Sequence, residues 1–173
     1  MLQKYTTYRV LELFFDQPTK GFQLREISRL LKLGMPSVKL HITRLEKAEF
    51  IKKEKTGVYA CYKASRNEKF KLYKRNDMLL RLHESGLIEN LASEFLPNAI
   101  IFFGSASRGE DIERSDIDLM ILAKEKDIKL ETYEKHLKRK IQLFFEPDTK
   151  KIPKEFMNNI INGIVIYGYL KVL

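Results

Sequence analysis

The chain has 173 residues, 44% hydrophobic and 32% charged. Those proportions fit a soluble globular protein of one large or two small domains, and they exclude a membrane bundle, a collagen-like repeat and a mostly disordered chain. The net charge of +9 is unevenly placed: residues 1–66 hold 14 basic against 6 acidic side chains, residues 67–97 balance, and residues 98–173 carry only +1. A basic excess confined to one segment is the footprint of a polyanion partner rather than of general solubility. The single cysteine, Cys61, excludes an intramolecular disulfide and a cysteine zinc cage and points to a reducing, cytoplasmic setting. The longest apolar stretches, such as Ala99 to Phe103, suit buried strands and fall short of the roughly 20 residues of a membrane helix. The start, MLQKYTTYRV, lacks the apolar core and cleavage site of a secretory signal, so export is not expected.

In chain order, Tyr8, Leu11 and Phe15 predict an amphipathic helix over Tyr5 to Phe15, ended by Asp16-Gln17-Pro18. Leu24, Ile27, Leu30 and Leu31 predict a second helix that stops at Gly34, after which Pro36 opens a third with an apolar stripe of Val38, Ile42 and Leu45. The opposite face of that third helix carries Ser37, Lys39, Leu40, His41, Thr43, Arg44 and Lys47. FIKKEK and VYACYKA, separated by Thr56-Gly57, predict a hairpin with a lysine-rich first strand.

Three short helices followed by a hairpin resemble the winged helix-turn-helix family over residues 5 to 65. The resemblance implies binding of double-stranded DNA, with Ser37, Lys39, Leu40, His41 and Arg44 on the recognition helix and Lys52, Lys53 and Lys55 meeting phosphates from the wing. A basic helix that is only a solvated face, and a winged helix that binds protein, are the competing readings. Residues 67–97 predict two helices broken at Ser85-Gly86, a structural connector that ends at Pro97-Asn98. His41, His83 and His136 share no metal-ligand spacing.

The segment AIIFFGSASRGEDIERSDIDLMIL, residues 99–122, predicts a strand ending at Gly104-Ser105 and a second beginning at Ser115-Asp116. Gly104 permits a tight turn, and Ser105 is expected to cap the short helix after it, leaving amides for a phosphate. Asp116 and Asp118, one residue apart on a strand, face the same way about 7 Å apart, while Ile117, Leu119 and Ile121 face a core. Two acids on one face call for a hard cation such as Mg²⁺.

Gly-Ser, ten residues, then Asp-x-Asp resembles the signature of the DNA polymerase beta-type nucleotidyltransferase superfamily, including its minimal prokaryotic members that partner HEPN-domain ribonucleases. The resemblance covers residues 88 to 173. It implies nucleoside triphosphate binding at Gly104, Ser105 and Arg108, and Mg²⁺ on Asp116 and Asp118 for in-line attack on the α-phosphorus. The superfamily's third carboxylate falls at Gln142; Glu146 shares that face but lies roughly 13 Å further along a strand. A glutamine can ligate through its carbonyl but cannot take the nucleophile's proton.

The expected fold class is α+β: a winged helix-turn-helix at 1–66, a helical connector at 67–97, and a small mixed sheet with packed helices at 98–173. The leading function is a DNA-binding protein that transfers a nucleotidyl group to an unidentified acceptor, which includes a protein acceptor. The alternatives are a transcriptional regulator that only binds nucleotide or a partner, and an antitoxin-like protein acting on a toxin encoded elsewhere. A homodimer spanning two half-sites is expected, and no membrane association.

Overall fold

The computed structural model describes residues 5–56 and 59–171. It divides into two compact units, Met1–Lys74 and Arg75–Leu173. The described residues form seven α-helices and two sheets, a mixed α and β composition, and none of the helices is long and apolar enough to cross a membrane.

The first unit contains α1 (Thr6–Asp16), α2 (Leu24–Leu31), α3 (Met35–Lys47), β1 (Ile51–Thr56) and β2 (Tyr59–Ala64), then the start of α4 (Glu68–Glu84). The strands pair antiparallel, with Ile51 opposite Ala64 and Lys53 opposite Tyr62. Gly57, assigned to the hairpin turn from sequence, lies outside the described residues. Phe22 adds an isolated bridge to Tyr62, each amide donating to the other's carbonyl at 2.8 Å. Phe14, Phe22, Ile27, Val38, Ile42 and Leu45 form the centre of the core, so the predicted stripe of α3 is buried as expected.

Two details differ from the sequence expectation. Helix α2 ends at Lys32, which takes the left-handed conformation at φ 54, whereas Gly34 is extended and begins α3. Ser28 Oγ donates to Leu33 O at 2.6 Å, which holds the chain through this change of direction. Leu30, predicted as part of the apolar face, is 52% exposed because Ile27 alone of that helix is fully enclosed.

The second unit continues through α5 (Leu87–Phe95), β3 (Ala99–Phe103), a 3-10 turn (Ala106–Arg108), β4 (Ile117–Ile121), α6 (Glu131–Leu137), β5 (Ile141–Phe145), α7 (Lys154–Ile161) and β6 (Ile164–Gly168). Its sheet has the order β5-β4-β3-β6, antiparallel except for the β4–β5 pair, which α6 connects as a crossover. Every residue of β3 is buried, which explains its unbroken apolar run. Ile100, Phe102, Ile117, Leu119 and Ile121 pack on one face with Leu82, Leu87 and Leu91. Ile101, Phe103, Met120 and Leu122 pack on the other with Ile152 and Ile160.

Residues 67–97 do not form a separate body between two domains. Phe70 belongs to the first core, and Met78 through Phe95 supply helical walls of the second, because a four-stranded sheet needs apolar cover on this face. The break at Gly86 is as predicted, with φ 75 between α4 and α5.

Phe102→Ala, at the fully buried centre of β3, is expected to cost about 3–5 kcal/mol. A lowered denaturant midpoint followed by near-ultraviolet circular dichroism checks this.

Candidate functional site

Gly104 follows β3 directly, and the register pairs its neighbour Phe103 with Asp118 on β4. The glycine has φ 75, and a β-carbon there would run into the Asp118 carboxylate. Two independent constraints, handedness and space, therefore require glycine at this position. Ser105 does not cap the following turn with its side chain. The turn is closed instead by Ser107, whose Oγ donates to Gly104 O at 2.9 Å, and by the amides of Arg108 and Glu110, which donate to Ser105 O. Ser105 lies in the bend in helical conformation, so its hydroxyl is not directed at the amides a cap would serve.

Asp116 stands just before β4 and is exposed; Asp118 lies within the strand and is half-buried. Alternation puts both on the sheet face of Met120, opposite to Ile117 and Leu119. Burial pushes the Asp118 carboxyl above its ordinary range, and the like charge of Asp116 adds to that. Across the parallel pair, Asp118 is in register with Gln142 of β5. Glu146 lies at the far end of the same strand pair, its amide donating to Ile121 O and its carboxylate accepting from Asp148 N. Among the described residues no group of three or more His, Cys, Asp or Glu side chains gathers as a metal-holding cluster.

Arg108 is half-exposed and pairs through Nε with Glu110 Oε2 at 2.9 Å. A buried pair that sequence reasoning missed ties the same loop down: Arg139 Nη2 lies 3.8 Å from Asp111 Oδ2, with both side chains more than nine-tenths enclosed. The residues are 28 apart, so spacing gave no signal of it. Next to it, Glu134 accepts from Lys140 Nζ at 2.6 Å and from the amide of Ile141 at 3.1 Å, which lowers the carboxyl's pKa below its usual range. A groove of about 520 Å³ opens between these segments, lined by Arg114, Asp116, Glu134, Lys138 and Lys140 among others.

In the first unit, Lys39, Leu40 and Arg44 are exposed on α3 and Ser37 is half-buried. His41, expected on the outer face, is not there. It is buried beside Val38 and Ile42, and its Nδ1 shares a 2.8 Å hydrogen bond with Thr7 Oγ1 of α1, so it lies on the packed face. Burial, then the Arg44 guanidinium, holds its pKa below the usual histidine value. Lys52 and Lys53 are neighbours on β1 and so project to opposite faces of the hairpin. Lys52 Nζ contacts Glu54 at 3.2 Å, and Lys63 from β2 joins the same carboxylate at 2.8 Å. The side chain of Lys55 lies outside the described residues. Arg25 and Arg29, one turn apart on α2, line a cavity of about 470 Å³ with Ser28 and Met35 of α3. Their i, i+4 spacing was the available signal for a cationic ridge.

Residues 86–170 match the family model described as Polymerase beta, Nucleotidyltransferase. The match spans α5, the Gly104 corner, the acid pair and the last strand. Neither a curated protein nor a solved structure matches the chain.

The raised pKa of Asp118 has a consequence for stability. The folded state binds this proton more tightly than the unfolded chain, so the group opposes folding once pH rises through and above the ordinary carboxylate range. Asp118→Asn is therefore expected to raise the unfolding midpoint of the metal-free protein at pH 7. That gain should shrink toward zero as the pH falls below the ordinary aspartate value. Paired thermal melts across that range check it.

Proposed function

We propose that the second unit binds a nucleoside triphosphate with Mg²⁺ and transfers its nucleotidyl group to an acceptor, and that the first unit binds duplex DNA. The observation that carries the first half is the Phe103–Asp118 register, which sets the Gly104 corner against one carboxylate of the acid pair. Hard, anionic oxygens on one sheet face suit Mg²⁺, which prefers oxygen ligands and keeps substrate phosphates in its shell. Asp116 and Asp118 would hold the ion, with the Gln142 carbonyl in reach of the same strand position. When bound, it supplies charge neutralisation for the phosphates. Gly104 admits the ligand close to the backbone, Ser105 lies at the bend, and Arg108 contacts phosphate oxygens. The acceptor oxygen forms a bond to the α-phosphorus as the α–β bridging bond breaks, and pyrophosphate leaves with the electron pair. The acceptor's proton goes to solvent, since Gln142 cannot accept it.

A second reading, a regulator that binds nucleotide without transfer, is favoured by that same glutamine. The two are separated by incubation with an α-labelled triphosphate. Transfer predicts label on protein or nucleic acid that disappears with Asp116→Asn, whereas binding alone leaves the label exchangeable. Gln142→Glu is expected to raise any transfer at least ten-fold, within the range of general-base contributions, while leaving triphosphate affinity within a few-fold.

For DNA, the support is the exposed row of Lys39, Leu40 and Arg44 on α3, the resemblance to a winged helix, and the local charge. His41 drops out as a reader, while Arg25 and Arg29 join as phosphate contacts. The full chain should bind duplex DNA with an affinity that falls steeply with salt. Lys39→Ala with Arg44→Ala should weaken that binding at least ten-fold, and Lys53→Ala more than Lys52→Ala, whose charge is already countered by Glu54. Fluorescence anisotropy at several salt concentrations measures all three; unchanged binding in the double variant removes the DNA reading.

A further inference from the structure

We propose that Lys140 adds a positive charge to the nucleotide site, so that a triphosphate is held by one divalent ion on Asp116 and Asp118 together with Arg108 and the Lys140 ammonium. This rests on the reading of the acid pair as a nucleotide site and goes on to assign how its charge is divided.

The placement follows from the sheet. The parallel register aligns Ile117 with Ile141 and Asp118 with Gln142, and Ile117 donates its amide to Lys140 O at 2.8 Å. Lys140 and Gln142 therefore stand beside Asp116 and Asp118 on one face, about 4.8 Å away across the strands. The acid pair is flanked by a side-chain-free corner at Gly104 on the β3 side and by a lysine on the β5 side. Lys140 and Asp116 also border the same groove of about 520 Å³.

Lys140 is held there. Glu134 grips its Nζ with one carboxylate oxygen, while the other oxygen accepts the Ile141 amide, so the carboxylate is fixed to the strand that carries the lysine. The side chain is nonetheless 76% exposed, which leaves its remaining N–H groups open to a ligand. A second divalent ion on this side would need an anionic oxygen from β5. The residues there are a neutral amide and an ammonium; neither carries an anionic oxygen, and the ammonium repels a cation. An anionic phosphate oxygen placed over the pair meets the opposite situation, with a charge-assisted donor on the neighbouring strand that it would share with Glu134.

The experiment measures binding of a non-hydrolysable nucleoside triphosphate by calorimetry, with chain-bound Mn²⁺ counted by electron paramagnetic resonance. The native chain is expected to hold one Mn²⁺ per triphosphate. Lys140→Ala should weaken triphosphate binding about ten-fold or more, Lys140→Arg should restore it to within a few-fold, and both should keep the native circular dichroism spectrum. Glu134→Gln, which frees the lysine without removing it, should lose less than Lys140→Ala. Two Mn²⁺ per native chain, or undiminished affinity in Lys140→Ala, overturns the proposal. If binding still depends on Asp116 and Asp118, only the role of Lys140 falls. If the native chain binds no triphosphate, or the double Asp→Asn variant binds it equally well, the nucleotide reading falls and this inference with it.

Discussion

The antiparallel pairing of Phe103 with Asp118 is the constraint on which the chemistry of the second unit depends. It brings the end of one strand to the acidic stretch of its neighbour, so the turn after β3 must pass over a carboxylate. Only a residue without a side chain fits there, and Gly104 meets that demand in both its φ and its missing β-carbon. Ser107 and the amides of Arg108 and Glu110 close the loop back on the corner, and the Asp111–Arg139 pair anchors its later part. The loop between the two strands is thus tied at both ends, and the acid pair is displayed beside the fully buried strand β3 of a packed sheet.

That display works against stability. Asp118 is partly removed from water next to a second carboxylate, and both effects favour its protonated form. Phe103, Phe144 and Phe156 pack against one another on the face that carries Asp118, so the strands themselves stay fixed while the charges repel. Local cost held in place by surrounding packing is the physical pattern of a binding site. A cation bound there, as proposed, would relieve the cost and couple ligand binding to the stability of the sheet.

Much of this was legible in the residues. The strand ending at Gly104 and the break at Gly86 followed from periodicity and turn chemistry, while the association of the Gly104 corner with the aspartates was implied by the resemblance to nucleotidyltransferases. What was not legible depended on geometry that single positions do not carry. His41 sits at the i+3 position between Val38 and Ile42 and shares their stripe, yet its polarity suggested the outer face. Lys32 takes a left-handed conformation that residue type would assign to Gly34. The opposed faces of Lys52 and Lys53 follow from strand alternation, but a run of lysines reads as one patch until the pairing is fixed. The Asp111–Arg139 and Glu134–Lys140 pairs needed the α6 crossover to bring β5 beside β4.

The two cations assigned to the proposed nucleotide site share one feature. Arg108 is paired with Glu110 and Lys140 with Glu134, at 2.9 and 2.6 Å. Neither is a bare charge waiting for an anion, and neither is buried, so each pairing contributes little to stability. Their effect is to hold long side chains near one geometry, which would reduce the entropy lost on binding a phosphate. The same pairing means that an incoming anion shares or displaces a carboxylate, so affinity depends on the charge of the ligand and on ionic strength. A polyphosphate carrying its own divalent ion would satisfy both requirements together: in the proposed site the metal answers Asp116 and Asp118 while the phosphate oxygens answer Arg108 and Lys140. A monoanion satisfies only the second. On the proposed reading, opposite charges within one small patch would favour metal-bound polyphosphates over simple anions.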